Sequence, residues 1–285
     1  MNNILEIKNL NKSYSGFSLQ NVSFSVPKGY IMGFIGPNGA GKTTTIKSIL
    51  GMITPDSGDI SIMGTTVDCY DIKNHIGVVM DLPFYVDDWK VNDVHSALSP
   101  FYSRWDSAAF TDYLRKFNLD KNKKVKELSR GMKVKLMLAA ALSHEARLLV
   151  LDEPTSGLDP VARDELMDIL SEFIMDEDRG VLFSTHITSD LEKIADYITF
   201  IFDGRIEFSG EKDRLLESYL LVKGDPVALS AEHKKSIIGF RKHATGFDGM
   251  ITVDHAAHLP TDVSCEKISL DEIIIYMNKE GKLHE

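Results

Sequence analysis

Residues 36–44 are Gly36-Pro37-Asn38-Gly39-Ala40-Gly41-Lys42-Thr43-Thr44, and the stretch up to Thr43 fits the pattern G-x-x-x-x-G-K-[ST]. An apolar run at residues 30–35 precedes it like a buried strand, and residues 44–50 have the pattern of a helix that ends at Gly51. Glycines let backbone N–H groups approach phosphate oxygens, and a helix N-terminus adds positive potential. The succession of strand, glycine-rich loop and helix therefore predicts a phosphate-binding loop.

The residues at the end of this loop predict what it binds. A lysine in the position of Lys42 reaches the β- and γ-phosphates of a nucleotide, and a hydroxyl in the position of Thr43 holds Mg²⁺. Thr44 is placed for a further phosphate contact. We therefore expect a nucleotide and its Mg²⁺ ion at this loop.

The composition narrows the class of protein. The chain has 285 residues, enough for one large or two modest domains, and its 43% hydrophobic content is that of a chain that buries a core. The net charge of −10 argues against a protein that binds nucleic acid by charge alone. Cys69 and Cys265 fit no zinc or C-x-x-C spacing, and we expect them to be reduced thiols.

The sequence offers no path across a membrane. The first residues lack the basic and then apolar pattern of a signal peptide, and no apolar run approaches the about 20 residues of a spanning helix. We therefore expect a soluble or peripheral protein. If the chain works in membrane transport, another polypeptide must supply the membrane path.

Polar residues follow two further apolar runs. Residues 148–151 lead into Asp152 and Glu153, and residues 181–185 lead into His186. Because ligands bind beyond the carboxyl ends of strands in open α/β sheets, these side chains are expected beside the phosphate-binding loop. An aspartate there can hold Mg²⁺ through water, and a glutamate can activate water. A lone histidine is usually structural, although His186 is also suited to contact a γ-phosphate.

Two residues stay ambiguous at the level of local sequence. Asp81 follows the apolar run 75–80 and is either a metal or water ligand or an ordinary loop acid. Tyr14 precedes the phosphate-binding loop and could stack on a base, since every base has a π face. The local sequence favours an ordinary core or surface aromatic for Tyr14.

The middle of the chain has helical periodicity between two regions that predict sheets. Asp106 and Ser129 are predicted N-caps, the latter of a helix that runs to about Ser143. Residues 84–145 or thereabouts form a predicted helical insertion. Its apolar stripes are Val91, Val94, Leu98 and Phe101, and Phe110, Tyr113, Leu114 and Phe117.

The pattern changes again beyond Gly210. Just before it, Asp203-Gly204 separates two apolar runs and predicts a hairpin. The tail has a predicted capping box at Ser269 and Glu272. Its predicted elements are strands at 219–223 and 249–253 and helices at 231–238 and 269–278.

Together these motifs resemble the ATP-binding subunit of an ABC transporter, over about residues 3–210. They look most like those of bacterial drug- or peptide-export ATPases. The resemblance implies an α/β fold: a P-loop NTPase core with an antiparallel β subdomain and an inserted helical subdomain at about 84–145, within residues 1–210. Residues 211–285 would then be a small C-terminal α/β accessory module.

The resemblance also implies roles, with ATP and Mg²⁺ as cofactors. Glu153 would be the catalytic base and His186 the switch histidine, both in catalysis. Metal contacts would come from Thr43, Asp152 and Asp81. The residues implied to bind ATP are Tyr14, Gly36, Pro37, Asn38, Gly39, Ala40, Gly41, Lys42, Thr43 and Thr44, together with Ser129 and Gly131, which contact the ATP of an opposing subunit. For Tyr14 the resemblance implies an aromatic that stacks on adenine, whereas the local sequence favoured an ordinary core or surface aromatic.

The partners implied by the resemblance are a second ATPase subunit, paired head to tail, and an integral membrane permease. The chain would be cytoplasmic and peripheral on the inner face of the cell membrane, with no nucleic acid partner. Phe84, Tyr85 and Trp89 follow the Asp81 position, where cassettes of this family form a groove for the permease. We expect an exposed aromatic cluster there, with burial against the helical subdomain as the alternative.

Two departures from the family pattern stand out. The usual signature is L-S-G-G-Q, whereas residues 128–132 are Leu-Ser-Arg-Gly-Met, and Asp81 stands where a glutamine is usual. Two alternatives to a transport subunit remain. The first is a soluble ABC protein that acts on ribosomes, on DNA or in cofactor assembly. The single cassette argues against the ribosomal class, the absence of long coiled coils argues against the DNA-repair class, and the acidic charge argues against both. A regulatory cassette that only binds nucleotide is disfavoured by Glu153 and His186, although Asp81 keeps it open.

Overall fold

A computed structural model describes residues 2–67, 69–81 and 84–281 of the chain. These residues form three β-sheets with helices packed around them. The strands are β1 (Asn3–Tyr14), β2 (Phe17–Pro27), β3 (Ile31–Ile35), β4 (Ser57–Ile62), β5 (Thr65–Thr66), β6 (Ile76–Val79), β7 (Leu148–Asp152), β8 (Gly180–Thr185), β9 (Tyr197–Phe202), β10 (Arg205–Glu211), β11 (Tyr219–Gly224), β12 (Ile238–His243), β13 (Gly246–Thr252) and β14 (Ser264–Lys267). The α-helices are α1 (Lys42–Ile49), α2 (Tyr70–Lys73), α3 (Val91–Leu98), α4 (Ser107–Lys116), α5 (Arg130–Leu142), α6 (Pro160–Phe173), α7 (Thr188–Ile194), α8 (Lys212–Ser218), α9 (Ala231–Ser236), α10 (Val253–Ala256) and α11 (Leu270–Gly281).

The central sheet has the strand order β10-β9-β3-β8-β7-β6, and all of its strands except β10 run parallel. Strands β3, β7 and β8 are buried along their whole length, because helices or a second sheet cover both faces. The register places Ile35 beside Thr185 and Asp152 beside Ser184. The glycine-rich loop after β3 and the polar residues at the ends of β7 and β8 therefore meet at one edge of the sheet.

A second, antiparallel sheet with the order β2-β1-β4-β5 covers one face of the central sheet. Side chains alternate between the two faces along β3. Met32 and Phe34 pack toward the antiparallel sheet, where the Phe34 ring stacks on Phe24 with centroids 5.2 Å apart. Ile31 and Ile35 pack into the core on the other face, which the helices cover.

Helices α4 and α5 begin at the two predicted N-caps. The Asp106 carboxylate accepts hydrogen bonds from the amides of Ala108 and Ala109 at 2.8 and 2.9 Å. The Ser129 hydroxyl accepts one from the amide of Met132 at 3.3 Å. Both N-cap predictions are confirmed, because capping depends only on residues within one turn.

The predicted apolar stripes of the helical region are buried or partly buried in the structure, with one exception. Helix α3 ends at Leu98, and Phe101, which is 68% exposed, lies in the turn that follows. Helical periodicity no longer applies there, so the prediction that Phe101 belongs to a stripe is wrong. The other members are buried or partly buried in one core, namely Val91, Val94, Leu98, Phe110, Tyr113, Leu114 and Phe117.

The predicted hairpin joins β9 to β10 and supports the glycine-rich loop. Asp203 and Gly204 have φ angles of 42° and 73°, as a tight two-residue hairpin turn requires. A Cβ on Gly204 would lie 1.9 Å from the Ser18 carbonyl oxygen, so the turn fits only with glycine. The Gly204 amide donates to the Ala40 carbonyl at 3.0 Å. The hairpin turn therefore holds the loop from one side.

Residues beyond α8 form the third sheet, with the order β12-β13-β11-β14. Helix α11 begins at the predicted capping box, in which the Ser269 amide and hydroxyl donate to Glu272 at 2.9 and 2.8 Å. Leu270 and Ile273 are nevertheless buried in the same core as the central sheet. The division of the chain into domains at 1–210 and 211–285 stays a prediction.

The buried imidazole of His144 predicts a loss of stability in mild acid. Burial lowers the pKa of His144, whose Nδ1 lies 3.0 Å from the Asn74 carbonyl oxygen and whose ring stacks on Tyr102 with centroids 4.0 Å apart. The unfolded chain takes up a proton at this residue near pH 6.5, whereas the folded chain resists it. Stability therefore falls as the pH drops below about 6.5, by at most about 1.4 kcal/mol per pH unit.

We expect His144→Gln to flatten the decline of the melting temperature between pH 7 and pH 5, measured by thermal unfolding at each pH. His258→Gln is the control, because His258 is exposed. Burial also lowers the pKa of His75, so part of the decline should persist in the variant. Parallel curves for His144→Gln and the unaltered chain would contradict the assignment.

Candidate active site

The glycine-rich loop lies between β3 and α1, at the carboxyl edge of the central sheet. Gly36 is buried there, and a Cβ at this position would lie 2.2 Å from the Ile201 carbonyl oxygen, so that no other residue fits. Ala40, within the same loop, is buried as well. The loop borders a cleft of about 650 Å³, lined by Gly16, Phe17, Pro37, Asn38, Gly39, Gly41, Lys42, Thr43, Thr44, Asp81, Asp152, Glu153 and Asp203.

The buried carboxylate of Asp152 joins three segments at this cleft. Its Oδ2 accepts a hydrogen bond from Thr43 Oγ1 at 2.9 Å, and its Oδ1 accepts one from Ser184 Oγ at 2.7 Å. Thr43 belongs to α1, Ser184 to β8, and Asp152 ends β7. A hydroxyl and a carboxylate therefore lie side by side next to the glycine-rich loop.

The ammonium group of Lys42 is buried and held by the loop itself. Its Nζ donates to the Gly36 carbonyl at 2.7 Å and to the Pro37 carbonyl at 3.4 Å. It also lies 3.4 Å from Glu153 Oε1. This cation therefore faces the cleft with the charge of one carboxylate beside it.

Glu153 and His186 form a close pair beyond the ends of β7 and β8. Glu153 Oε2 lies 2.6 Å from His186 Nδ1, and the Glu153 amide donates to the Ser184 carbonyl at 3.0 Å. The backbone of Glu153 has a φ of 51°, a left-handed conformation that costs a non-glycine residue about 1 kcal/mol or more. Its other oxygen, Oε1, is buried and accepts no hydrogen bond from the described residues, and the Lys42 ammonium lies 3.4 Å from it. This oxygen can therefore still accept a proton or a hydrogen bond from a bound group.

The residues of the cleft fit a nucleotide with Mg²⁺. A buried ammonium and the N-terminus of α1 suit phosphate oxygens. Mg²⁺ is usually held by one or two carboxylates together with substrate phosphates and water, and Thr43 with Asp152 meets that need.

Asp81 lines the same cleft, but its carboxylate is engaged elsewhere. It accepts a hydrogen bond from Nη2 of Arg130, the first residue of α5. Ser129 and Gly131, on either side of Arg130, line neither this cleft nor the two described next. The structure therefore brings the predicted loop, metal and catalytic residues together, and it leaves the two signature residues apart from them.

A smaller cleft of about 410 Å³ adjoins the first one. Tyr14, which is 47% exposed, lines it together with Gly16, Phe17 and Asp203, which line both clefts. Phe17 and Asp203 were not predicted from the sequence as residues of the site. Phe17 follows Tyr14 closely across a glycine turn, a signal that could have found it. The predicted D-G turn contained Asp203, but the sequence did not show that this turn lies beside the two clefts.

A third cleft, of about 590 Å³, borders Thr43, Asp81 and Asp152 from the side of β6. Most of its lining residues are apolar, and two lysines also line it. Besides Thr43, Asp81 and Asp152, the lining residues are Lys47, Leu50, Met52, Lys73, Ile76, Val78, Met80, Phe84 and Tyr102. The cleft is therefore an apolar groove that adjoins the predicted metal site.

The aromatic cluster expected beside this groove is only partly exposed. Phe84 is 58% exposed and its ring meets that of Tyr85 with centroids 4.8 Å apart. Tyr85 itself is buried, and Trp89 is partly buried against the same core. The prediction of an exposed cluster is therefore wrong for Tyr85 and Trp89, because the helical region covers them.

Comparison with known proteins identifies the family. The family model described as "ABC transporter" matches residues 19–156. The lantibiotic transport ATP-binding protein SrtF of Streptococcus pyogenes is 36% identical over 219 residues, which are 74% of this chain and 92% of that protein. The Nod factor export ATP-binding protein I of Burkholderia orbicola is 35% identical over 253 residues, 84% and 82% of the two chains. The bacitracin transport ATP-binding protein BcrA of Bacillus licheniformis is 32% identical over 245 residues, 82% and 80% of the two chains.

Solved structures agree with this result. An ATP-binding subunit of an ABC transporter has a TM-score of 0.68 and 31% identity, over 74% of this chain and 91% of that one. A nucleotide-free ATP-binding cassette, at 23% identity, has a TM-score of 0.64, over 75% of this chain and 93% of that one, and shares the fold. The predicted fold class is thereby confirmed. Among residues 2–67, 69–81 and 84–281, no helix is long and apolar enough to cross a membrane. The chain belongs to the family of ABC transporter ATP-binding proteins, and it is the ATP-hydrolysing subunit of an ATP-driven transport system.

Proposed function

We propose that the chain hydrolyses ATP with Mg²⁺ in the cleft between the glycine-rich loop and Glu153. The observation that carries this proposal is the convergence on one carboxylate: Glu153 lies 3.4 Å from the Lys42 ammonium and 2.6 Å from the His186 ring. Lys42 binds the β- and γ-phosphates, and the amides of the loop surround them. Glu153 accepts the proton of the attacking water, and His186 orients Glu153 and contacts the γ-phosphate.

The residues proposed to hold the metal are Thr43 and Asp152, with Asp81 as a third contact. Thr43 Oγ1 and Asp152 Oδ2 lie 2.9 Å apart, so one cation beside them could contact both oxygens. Mg²⁺ held there neutralises charge that develops on the phosphates. The Asp152 carboxylate keeps its hydrogen bond from Ser184, so its orientation is fixed from the side of the sheet.

We further propose that two ATPase subunits pair head to tail. Ser129 and Gly131 stand at the start of α5, away from the clefts of their own chain. A helix N-terminus that is exposed in this way suits the γ-phosphate of a nucleotide on a second subunit. Each ATP would then lie between the glycine-rich loop of one subunit and Ser129 and Gly131 of the other.

The proposed membrane partner is a separate permease that works in export. The relatives include proteins named for lantibiotic and bacitracin transport and for Nod factor export. The apolar groove beside Asp81 offers a permease segment a surface on which Met52, Phe84 and Lys73 are exposed. The chain would lie on the inner face of the cell membrane. Its net charge of −10 argues against a nucleic acid partner.

The first test concerns Glu153 as the general base. Glu153→Gln keeps the size of the side chain but cannot accept a proton, and we expect ATP turnover to fall about 10²–10⁴-fold while ATP binding persists. Turnover is measured as phosphate release and binding by titration with ATP. Glu207→Gln, in the exposed part of β10, is the matched control. Near-normal turnover of Glu153→Gln would remove Glu153 from the proposed role.

A second test decides which aromatic residue supports the base of the nucleotide. Tyr14→Ala and Phe17→Ala should each weaken ATP affinity by about 1–3 kcal/mol if the ring stacks on adenine, and less if it does not. Tyr30→Ala is the control, because Tyr30 is also exposed but pairs with Tyr197 at the other end of β3. Equal Kd values for Tyr14→Ala and the unaltered chain would return Tyr14 to an ordinary surface aromatic.

A third test concerns the groove. Phe84→Ser should reduce the share of the chain that sediments with membranes of cells that contain the whole transport system, because the permease loses an apolar contact. Phe101→Ser is the matched control, since Phe101 is at least as exposed as Phe84 but lies outside the groove. The same membrane-bound share for both variants would contradict the groove as the permease contact.

A further inference from the structure

The two departures from the family pattern meet in space. Arg130 takes the place of a glycine in the signature, and Asp81 takes the place of a glutamine after β6. The residues are 49 positions apart, yet the Arg130 guanidinium donates to the Asp81 carboxylate. Glycine offers no side chain for such a contact. The ion pair therefore exists only because both positions differ from the usual pattern.

Arg130 also contacts the loop that follows β7. A Cβ at Gly157 would lie 3.0 Å from Cδ and 3.2 Å from Nε of Arg130, so the arginine stem packs on the backbone of Gly157. That loop begins with Glu153, the proposed base. We call this side chain and its two contacts the Arg130 bridge. It joins the start of α5, the loop after β7 and Asp81, the second residue after β6.

The carboxylate of Asp81 has a second position open to it. Asp81 lines the cleft together with Thr43 and Asp152, the two residues proposed to hold Mg²⁺. A short side chain reaches only one cation at a time, and here that cation is Arg130. The pair is partly exposed, with 40% of the Arg130 side chain and 47% of the Asp81 side chain open to solvent. Exposed ion pairs are weak, so a divalent ion can compete with this one.

We propose that Arg130 is a positioning residue that holds Asp81 away from the metal site until a nucleotide with Mg²⁺ binds. Asp81 then turns from the guanidinium to the metal, and the Arg130–Asp81 ion pair, which connects the start of α5 to the residue after Met80, is broken. This inference rests on the proposed function, because it assumes that the cleft takes Mg²⁺ and nucleotide. It goes beyond that function in making the start of α5 respond to the metal in its own subunit.

The inference makes opposite predictions for nucleotide binding with and without metal. Arg130→Gln keeps most of the stem on Gly157 but removes the charge. With Mg²⁺ the freed Asp81 should bind the metal without competition, so affinity rises. Without Mg²⁺ the uncompensated carboxylate should repel the phosphates, so affinity falls. Each shift is expected to be about 1.5- to 5-fold, the usual range for an exposed ion pair.

The experiment is a titration with a non-hydrolysable ATP analogue, in Mg²⁺ and in EDTA. The quantity compared is the ratio of the Kd in EDTA to the Kd in Mg²⁺. Losing the positive charge of Arg130 weakens phosphate binding by a similar factor in both buffers, so that effect cancels in the ratio. Arg130→Gln should raise this ratio about 2- to 25-fold, as the product of the two shifts. Arg130→Lys should lie between Arg130→Gln and the unaltered chain. In an Asp81→Asn background, Arg130→Gln should leave the ratio unchanged.

Lys135→Gln is the matched control, because Lys135 lies on the same helix and pairs with Glu165, outside the three clefts. Its ratio should equal that of the unaltered chain. An unchanged ratio in Arg130→Gln, or the same rise in the Asp81→Asn background, would overturn the inference while leaving the proposed function intact. A chain that binds no analogue in either buffer would overturn both. Melting temperatures of all variants show whether each is folded.

Discussion

The site depends on the hydrogen bonds of one buried carboxylate. Removing a charge from water is costly unless hydrogen bonds compensate for it, and the Asp152 carboxylate receives them from Thr43 at 2.9 Å and Ser184 at 2.7 Å. The two donors come from α1 and β8, whereas the acceptor ends β7. The contacts that satisfy the charge therefore also set the distance between the glycine-rich loop and the two strands that carry Glu153 and His186.

The remaining charges of the site compensate one another around that frame. Lys42 is buried and donates to the carbonyls of its own loop, and its ammonium faces Glu153, which in turn faces His186. A buried cation needs such partners when no phosphate is present. The strained backbone of Glu153 persists because its amide donates to Ser184 at 3.0 Å.

The features that could be predicted from the sequence are those fixed by neighbours along the chain. The caps at Asp106 and Ser129, the turn at Gly204 and the strand before Gly36 depend on a few adjacent residues, and all were found. The position of a side chain between distant segments is different. The family resemblance placed Tyr85 and Trp89 near the groove and left burial against the helical region as the alternative, because no sequence pattern decides between the two. No local pattern joins Arg130 to Asp81 across 49 residues either.

The two sides of the site differ in how firmly they are held. His186 leads into α7, whose buried Asp190 lies 3.6 Å from Arg163 of α6, and whose Glu192 accepts a hydrogen bond from the Leu270 amide of α11 at 2.9 Å. That side is therefore anchored to two other helices, one of them in the C-terminal part of the chain. On the other side, the Asp81 and Arg130 side chains are exposed, and the main polar contact of each is the ion pair between them. Because weakly held, exposed contacts open at the least cost in free energy, a change driven by the nucleotide should begin at the start of α5 and not at α7.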